Sequence, residues 1–214
     1  MCPGSATILV AFTAGGTPAL PGRDPSECKR LSAVHSLPML ASCWLAVYQA
    51  AMIIILMGVS GSGKTTIGCL LARDLGWPFY DGDDFHPQAN IDKMRQGIPL
   101  TDADRDSWLT ALRQQITALI ANQQSAVLAC SALKQAYRDR LCGDRPEVRF
   151  IYLKGDYALI RQRLQKRGGH FMKADLLTSQ FAALEEPQGV PTVDIARAPE
   201  AIVECIKQAL GRAD

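Results

Sequence analysis

A glycine-rich loop between an apolar run and a helical pattern constrains this 214-residue chain more than any other feature. Residues 58–65 are Gly-Val-Ser-Gly-Ser-Gly-Lys-Thr, which matches G-x-x-x-x-G-K-[ST], and they directly follow Met-Ile-Ile-Ile-Leu-Met at residues 52–57. The glycines let backbone N–H groups converge on phosphate oxygens, and a helix N-terminus adds partial positive charge. We therefore predict a nucleoside triphosphate site at a strand–loop–helix junction.

The residues of this phosphate loop, the name used here for residues 58–65, have distinct expected roles. We expect Lys64 to reach the β- and γ-phosphates during catalysis and Thr65 to ligate Mg²⁺ through its hydroxyl. Thr66 is expected to contact the α-phosphate. The predicted nucleotide-binding residues in and directly after the loop are Gly58, Val59, Ser60, Gly61, Ser62, Gly63, Lys64, Thr65 and Thr66.

Apolar runs of strand length alternate with helical patterns from residue 52 to the C-terminal end of the sequence. This alternation predicts an α/β fold, in which helices cover both faces of a parallel sheet. The predicted strands are 53–57, 79–80, 126–130, 148–153 and 192–195, and the predicted helices are 63–75, 88–96, 101–122, 134–141, 157–166, 176–184 and 199–210.

Residues 1–51 differ from the rest of the chain in charge and in pattern. They hold few charged side chains and no sustained helical or strand period. We expect residues 1–51 to be a dispensable extension or an upstream mis-start before Met52, with residues 52–214 forming the functional domain. Two alternatives stay open: a genuine targeting or regulatory segment, and a membrane anchor over the uncharged residues 37–57.

Charge and cysteine content exclude several classes of protein. Lys and Arg number 23 against 21 Asp and Glu, and no basic run exceeds two residues, which argues against nucleic-acid binding. The seven cysteines are odd in number and include no C-x-x-C pair, so neither a disulfide framework nor a zinc site is expected. Reduced thiols in a cytoplasmic protein are the favoured interpretation, with no membrane partner.

An acidic segment follows the second predicted strand. Residues 81–84 are Asp-Gly-Asp-Asp, and the carboxyl edge of a parallel sheet is where ligands bind in this architecture. We expect Asp81 to hold Mg²⁺ and Asp83 to accept the proton of an acceptor hydroxyl. Which of Asp81, Asp83 and Asp84 is the base stays open, and Asp84 could instead cap the following helix.

Two absences narrow the chemistry of phosphoryl transfer further. The chain has no N-K-x-D motif for reading guanine, which disfavours a GTPase switch. The third predicted strand leads into Ala129-Cys130-Ser131 and not into an aspartate, so the usual acid near magnesium is missing there. In small-molecule kinases the corresponding acid can come from the end of the second strand, where this chain has its acidic segment.

Three stretches give the chain a family resemblance. Residues 81–109, DGDDFHPQANIDKMRQGIPLTDADRDSWL, resemble the hallmark stretch of gluconate kinases. Residues 131–138 and 170–187 resemble later blocks of the same family. The resemblance covers residues 52–214 and does not reach residues 1–51.

This resemblance implies the reaction of ATP with D-gluconate to give ADP and 6-phospho-D-gluconate, with Mg²⁺ as cofactor. It implies the three-layer fold of shikimate and nucleoside-monophosphate kinases, with a five-stranded parallel sheet and a mobile lid, and it implies a homodimer. Two other functions stay open: a kinase of another small hydroxylated metabolite such as shikimate, and a membrane-tethered nucleotide switch.

Gluconate requires a cation for its carboxylate and hydrogen-bonding groups for its hydroxyls. We expect Arg105 to bind the carboxylate, and His86, Lys134 and Asp83 to contact the substrate. Arg105 could instead pair with an acidic neighbour on its own helix, His86 could cap its loop, and Lys134 could be solvated.

Two arginines stand four residues apart at the end of a predicted helix. By the resemblance, Arg163 stacks on the adenine and Arg167 neutralises charge on the transferring phosphoryl group as a catalytic residue. The alternative is a solvated basic face, since Arg161 and Lys166 lie nearby.

Overall fold

Strands and helices alternate through residues 51–166 and 174–211, the part of the chain that the computed structural model describes. The strands are β1 (Ile53–Met57), β2 (Phe79–Asp81), β3 (Ala126–Ala129), β4 (Val148–Lys154) and β5 (Thr192–Asp194). The helices are α1 (Lys64–Leu75), α2 (Gln88–Arg95), α3 (Asp102–Ala121), α4 (Gln135–Cys142), α5 (Tyr157–Lys166), α6 (Ala174–Ala183) and α7 (Pro199–Leu210), with a 3₁₀ turn at Gly82–Phe85.

The five strands form one sheet in the order β2-β3-β1-β4-β5, and every pairing is parallel. β1 lies at the centre, and all of its side chains are fully buried. A strand covered on both faces has a continuous apolar sequence, which explains the Ile-rich run. The predicted α/β fold with a five-stranded parallel sheet is confirmed.

Alternate residues of β1 supply the two apolar layers of the core. Ile54 and Leu56 pack with residues of α1, α5 and α7 on one face of the sheet. Ile53, Ile55 and Met57 pack with residues of α3 and α4 on the other face. Helix, sheet and helix therefore form three layers, and the carboxyl end of β1 opens between them.

Local signals set the helix ends. Thr101 forms a capping box with Asp104 at the start of α3, and Gly76 ends α1 in the left-handed conformation. Pro199 is at the start of α7. The predicted bounds hold within about two residues, with the largest difference at α6, which begins at Ala174.

The strand assignment of β1 contradicts a membrane-spanning helix over residues 37–57. Ile53–Met57 pair with β3 and β4 at the centre of the sheet and cannot also enter a bilayer as a helix. Among the residues that the structure describes, no helix has the length and apolar character needed to cross a membrane.

Candidate active site

The phosphate loop connects the central strand β1 to α1. Gly58, Gly61 and Gly63 have φ values of 144°, 84° and 96°, where side chains with a Cβ are disfavoured. A Cβ on Gly58 would lie 2.8 Å from the carbonyl oxygen of Leu153. The glycines of the motif are therefore required by the backbone path between β1 and α1.

Polar groups of the loop are held by the loop itself. The Lys64 ammonium donates to the carbonyl oxygens of Gly58 at 3.1 Å and Val59 at 3.2 Å, so it lies over the loop. The Ser62 N–H donates to the Val59 carbonyl at 3.2 Å, and the Ser62 side chain is buried. This arrangement holds the ammonium at the loop for which the sequence predicts a phosphate site.

A cleft of about 250 Å³ lies beside the loop. The loop, the start of α1, the end of α5 and the chain after β5 contribute its walls. Its lining includes Gly61, Ser62, Gly63, Thr66, Arg163 and Arg197. Helix N-terminus, glycine backbone and two guanidinium groups are the chemistry that binds a nucleotide.

Arg163, which the resemblance implies stacks on the adenine, lines this cleft, and its Nη2 donates to the Ile195 carbonyl at 2.6 Å. Arg197 also lines the cleft and was not predicted, because a single arginine in a loop carries no motif. Residues 167–173 lie outside the described part of the chain. They include Arg167, which was predicted as catalytic, and part of the implied lid.

The two predicted magnesium ligands, Thr65 and Asp81, lie side by side at the edge of the sheet. Thr65 Oγ1 donates to Asp81 Oδ2 at 2.8 Å, which joins the start of α1 to the end of β2. The other oxygen of Asp81 accepts from the N–H of Asp83 at 3.1 Å. Hydroxyl and carboxylate oxygens are the donors that Mg²⁺ prefers, so these residues fit the predicted metal.

The surroundings of Asp83 change the acidity of its carboxyl. Asp83 is exposed, yet desolvation is the largest of the causes that shift the pKa of its carboxyl, and it raises that pKa. The Lys64 ammonium lowers this pKa, and the carboxylates of Asp81 and Asp84 raise it. Asp84 is exposed and does not cap α2, whose N-cap is Pro87.

His86 is fixed between the acidic segment and α3. Its ring stacks on Trp108 with 4.5 Å between ring centroids, and Trp108 Nε1 donates to the Gly82 carbonyl at 2.7 Å. Burial and the charge of Arg105 lower the pKa of His86 to about 4. His86 is therefore neutral near pH 7. A neutral imidazole can donate a hydrogen bond to a hydroxyl group or accept one from it.

Arg105 and Lys134 converge on one carboxylate. Lys134 Nζ lies 2.7 Å from Asp102, and Arg105 Nη1 lies 3.9 Å from the same side chain and donates to the Leu100 carbonyl at 2.6 Å. Both cations lie over the Tyr137 ring, 5.9 Å and 5.7 Å from its centroid. Two cations that share one carboxylate of the chain itself can also bind the carboxylate of a substrate.

We call Arg105, Lys134, Asp102 and Tyr137 the cationic cluster. Asp102 and Tyr137 were not predicted as site residues. The Tyr137 hydroxyl also donates to Asp102. Hydrogen bonds from Lys134 and Tyr137 lower the pKa of Asp102, and Asp102 in turn raises the pKa of Lys134. One signal was available for Tyr137, since it lies three residues after Lys134 at the start of a predicted helix.

Comparisons with known proteins agree with this geometry. The family model described as Shikimate kinase matches residues 60–185. The thermosensitive gluconokinase of Escherichia coli K12 is 48% identical over 160 residues, which cover 73% of this chain and 86% of that protein. The gluconokinase of Gluconobacter oxydans 621H is 44% identical over 154 residues, covering 71% of this chain and 86% of that protein.

A solved structure gives the same result in three dimensions. The crystal structure of a gluconokinase from Sinorhizobium meliloti 1021 has a TM-score of 0.70 and 41% identity, covering 76% of this chain and 93% of that one. Fold, phosphate loop and family model together define a small-molecule kinase with a phosphate loop. Within that class, the chain belongs to the gluconokinase family.

Proposed function

We propose that this protein transfers the γ-phosphoryl group of ATP to D-gluconate, giving ADP and 6-phospho-D-gluconate. Membership of the gluconokinase family supports the reaction. The observation in the structure that carries the proposal is the hydrogen bond between Thr65 and Asp81. It joins the phosphate loop to the acidic segment, so that a phosphoryl donor and an acceptor hydroxyl can meet at one place.

The proposed transfer uses Asp83 as the base. A gluconate hydroxyl oxygen forms a bond to the γ-phosphorus, the bond from that phosphorus to the β–γ bridging oxygen breaks, and the hydroxyl proton passes to Asp83. Lys64 and the N–H groups at the start of α1 stabilise the phosphate charge. Arg163 and Arg197 line the cleft in which the nucleotide base would lie.

Thr65 and Asp81 would hold Mg²⁺ at the edge of the sheet. When bound, the ion neutralises charge on the β- and γ-phosphates and aligns them. The chain's own contribution is the pairing of a hydroxyl and a carboxylate 2.8 Å apart.

The acceptor is proposed to lie between the acidic segment and the cationic cluster. Arg105 and Lys134 would bind the gluconate carboxylate in exchange for Asp102, and the neutral His86 would bind a hydroxyl group.

We further propose that the protein works in the cytoplasm, as the free cysteines among the described residues suggest, and as the homodimer that the family resemblance implies.

A coupled assay of ADP release by the full-length chain tests the proposal. Mg-ATP would be supplied with a panel of sugar acids, shikimate and nucleosides. We expect turnover selective for D-gluconate. Selective turnover of shikimate or a nucleoside would replace the acceptor assignment, and nucleotide binding without acceptor-dependent turnover would contradict the kinase function.

A further inference from the structure

Gln180 on α6 forms two hydrogen bonds to Ser60 of the phosphate loop, 120 residues earlier in the chain. Its Oε1 accepts from the Ser60 N–H at 2.7 Å, and its Nε2 contacts Ser60 Oγ at 3.1 Å. The backbone N–H can only donate, so it fixes which end of the amide faces it. One side chain thus holds both the backbone and the hydroxyl of a loop residue.

α6 offers a fixed base for this contact. Leu177, three residues before Gln180, is only 2% exposed and belongs to the core on the α1 face of the sheet. The Tyr157 hydroxyl lies 3.1 Å from Thr178 Oγ1, which ties α5 to α6. The amide of Gln180 is therefore presented to the loop from a packed helix.

α5 contacts the next residue of the loop. A Cβ on Gly61 would lie 3.0 Å from side-chain atoms of Ile160 and of Leu164. α6 and α5 therefore hold consecutive loop residues, Ser60 by hydrogen bonds and Gly61 by packing. Neither contact uses the N–H groups at the start of α1.

We infer that Gln180 is a positioning residue for the nucleotide, which fixes the phosphate loop in its binding shape before the nucleotide arrives. Gly61 needs a φ of 84°, and a free loop would sample other conformations. Without Gln180, the nucleotide would have to order the Ser60 end of the loop at the expense of its own affinity. This inference rests on the proposed function only through the assignment of the loop to a nucleotide.

Direct binding of a fluorescent ATP analogue with Mg²⁺ to the full-length chain tests the inference without any acceptor. Gln180→Ala should raise the Kd about tenfold, the effect of one or two lost hydrogen bonds. Ser179→Ala is the matched control on α6, because the Ser179 hydroxyl donates only to the Leu176 carbonyl of its own helix, at 2.8 Å. The control should leave the Kd unchanged.

Gln180→Glu separates positioning from stability and keeps the test open if the alanine variant fails to fold. Glutamate retains an acceptor for the Ser60 N–H but brings a negative charge toward the triphosphate. We expect a near-normal melting temperature and a higher Kd for the ATP analogue. The ratio of this Kd to that of the unmodified chain should shrink as the salt concentration rises.

Three outcomes would overturn the inference. The first is an unchanged Kd in a well-folded Gln180→Ala protein. The second is a Gln180→Glu protein whose loss of affinity is as large at high salt, where the added charge is screened, as at low salt. The third is a Gln180→Ala protein in which the KM for gluconate rises and the Kd for the nucleotide does not change. Nucleotide binding is measured without an acceptor, so a wrong acceptor assignment would not imitate any of these results.

Discussion

At the scale of single residues, the site depends on how the fold changes the acidity of side chains of ordinary type. His86 is kept neutral because it is buried and lies near a guanidinium group. Asp83 is made a stronger base by desolvation, against the opposing charge of Lys64. Each effect suits a common side chain to its proposed step, which is binding a hydroxyl for His86 and accepting its proton for Asp83.

The raised pKa of Asp83 predicts the pH dependence of catalysis. The base works only when deprotonated, so kcat/KM should fall as the pH drops through this pKa, at a higher pH than for an unperturbed carboxyl. Asp83→Asn should lower kcat by roughly 10²- to 10⁴-fold. Steady-state rates over a pH series, with Asp84→Asn for comparison, check the assignment. Loss of the acidic limb in Asp84→Asn, with Asp83→Asn still active, would make Asp84 the base.

Arg105→Ala should mainly weaken the acceptor. Loss of a charge-assisted hydrogen bond of about 1.5–3 kcal/mol should raise the KM for gluconate roughly 10- to 100-fold and leave the KM for ATP nearly unchanged. Arg95→Ala, at an exposed position near the end of α2, is the matched control. A change confined to the KM for ATP would remove Arg105 from the acceptor site.

At the scale of elements, the approach of α1 to β2 sets the distance between the two predicted metal ligands. A Cβ on Gly68 would lie 2.3 Å from the Phe79 ring, so the helix and strand touch at this glycine. Gly68 lies one turn after Thr65 on α1, and Phe79 lies two residues before Asp81 on β2. The Thr65–Asp81 hydrogen bond therefore depends on a packing contact outside the site.

Gly68→Ala should both destabilise the fold and slow the reaction. Overpacking costs about 1–3 kcal/mol, and a gain of about 0.5–1 kcal/mol in helix propensity offsets only part of it. Denaturant unfolding and kcat measure the two effects. Gly211→Ala is the control, because its Cβ would meet no atom closer than the Lys207 carbonyl at 3.6 Å. Unchanged kcat in a destabilised Gly68→Ala protein would show that the site tolerates a wider separation.

Patterns in the sequence predicted the elements well because their signals are local. The apolar run of β1, the capping residues of α3 and the proline of α7 each lie within the element that they define. The connections between elements were beyond these patterns. The hydrogen bonds from Trp108 to Gly82 and from Gln180 to Ser60 arise only once the order of strands places distant segments side by side.

At the scale of the whole molecule, residues 50–214 form a compact unit of their own. The start of the described fold is tied down within that unit: the Met52 N–H donates to Ser125 Oγ at 3.0 Å, and Ala51 is buried. We therefore propose that residues 1–51 are dispensable for catalysis and that residues 52–214 are sufficient for it.

A chain that begins at Met52 should keep the kcat and both KM values of the full-length chain within about twofold, with a melting temperature only a few degrees different. The same ADP-release assay and a thermal melt of both proteins make the comparison. A large loss of activity in a folded, shortened chain would assign residues 1–51 a direct part in the reaction.

The stacking of His86 on Trp108 gives the protein an optical reporter of its own. The chain has three tryptophans, of which only Trp77 and Trp108 lie after Met52. In a shortened chain that carries Trp77→Phe, all indole emission would come from a ring that is stacked against a proposed acceptor contact. Gluconate should therefore change the emission of this protein even without nucleotide, so that acceptor binding can be followed by light alone.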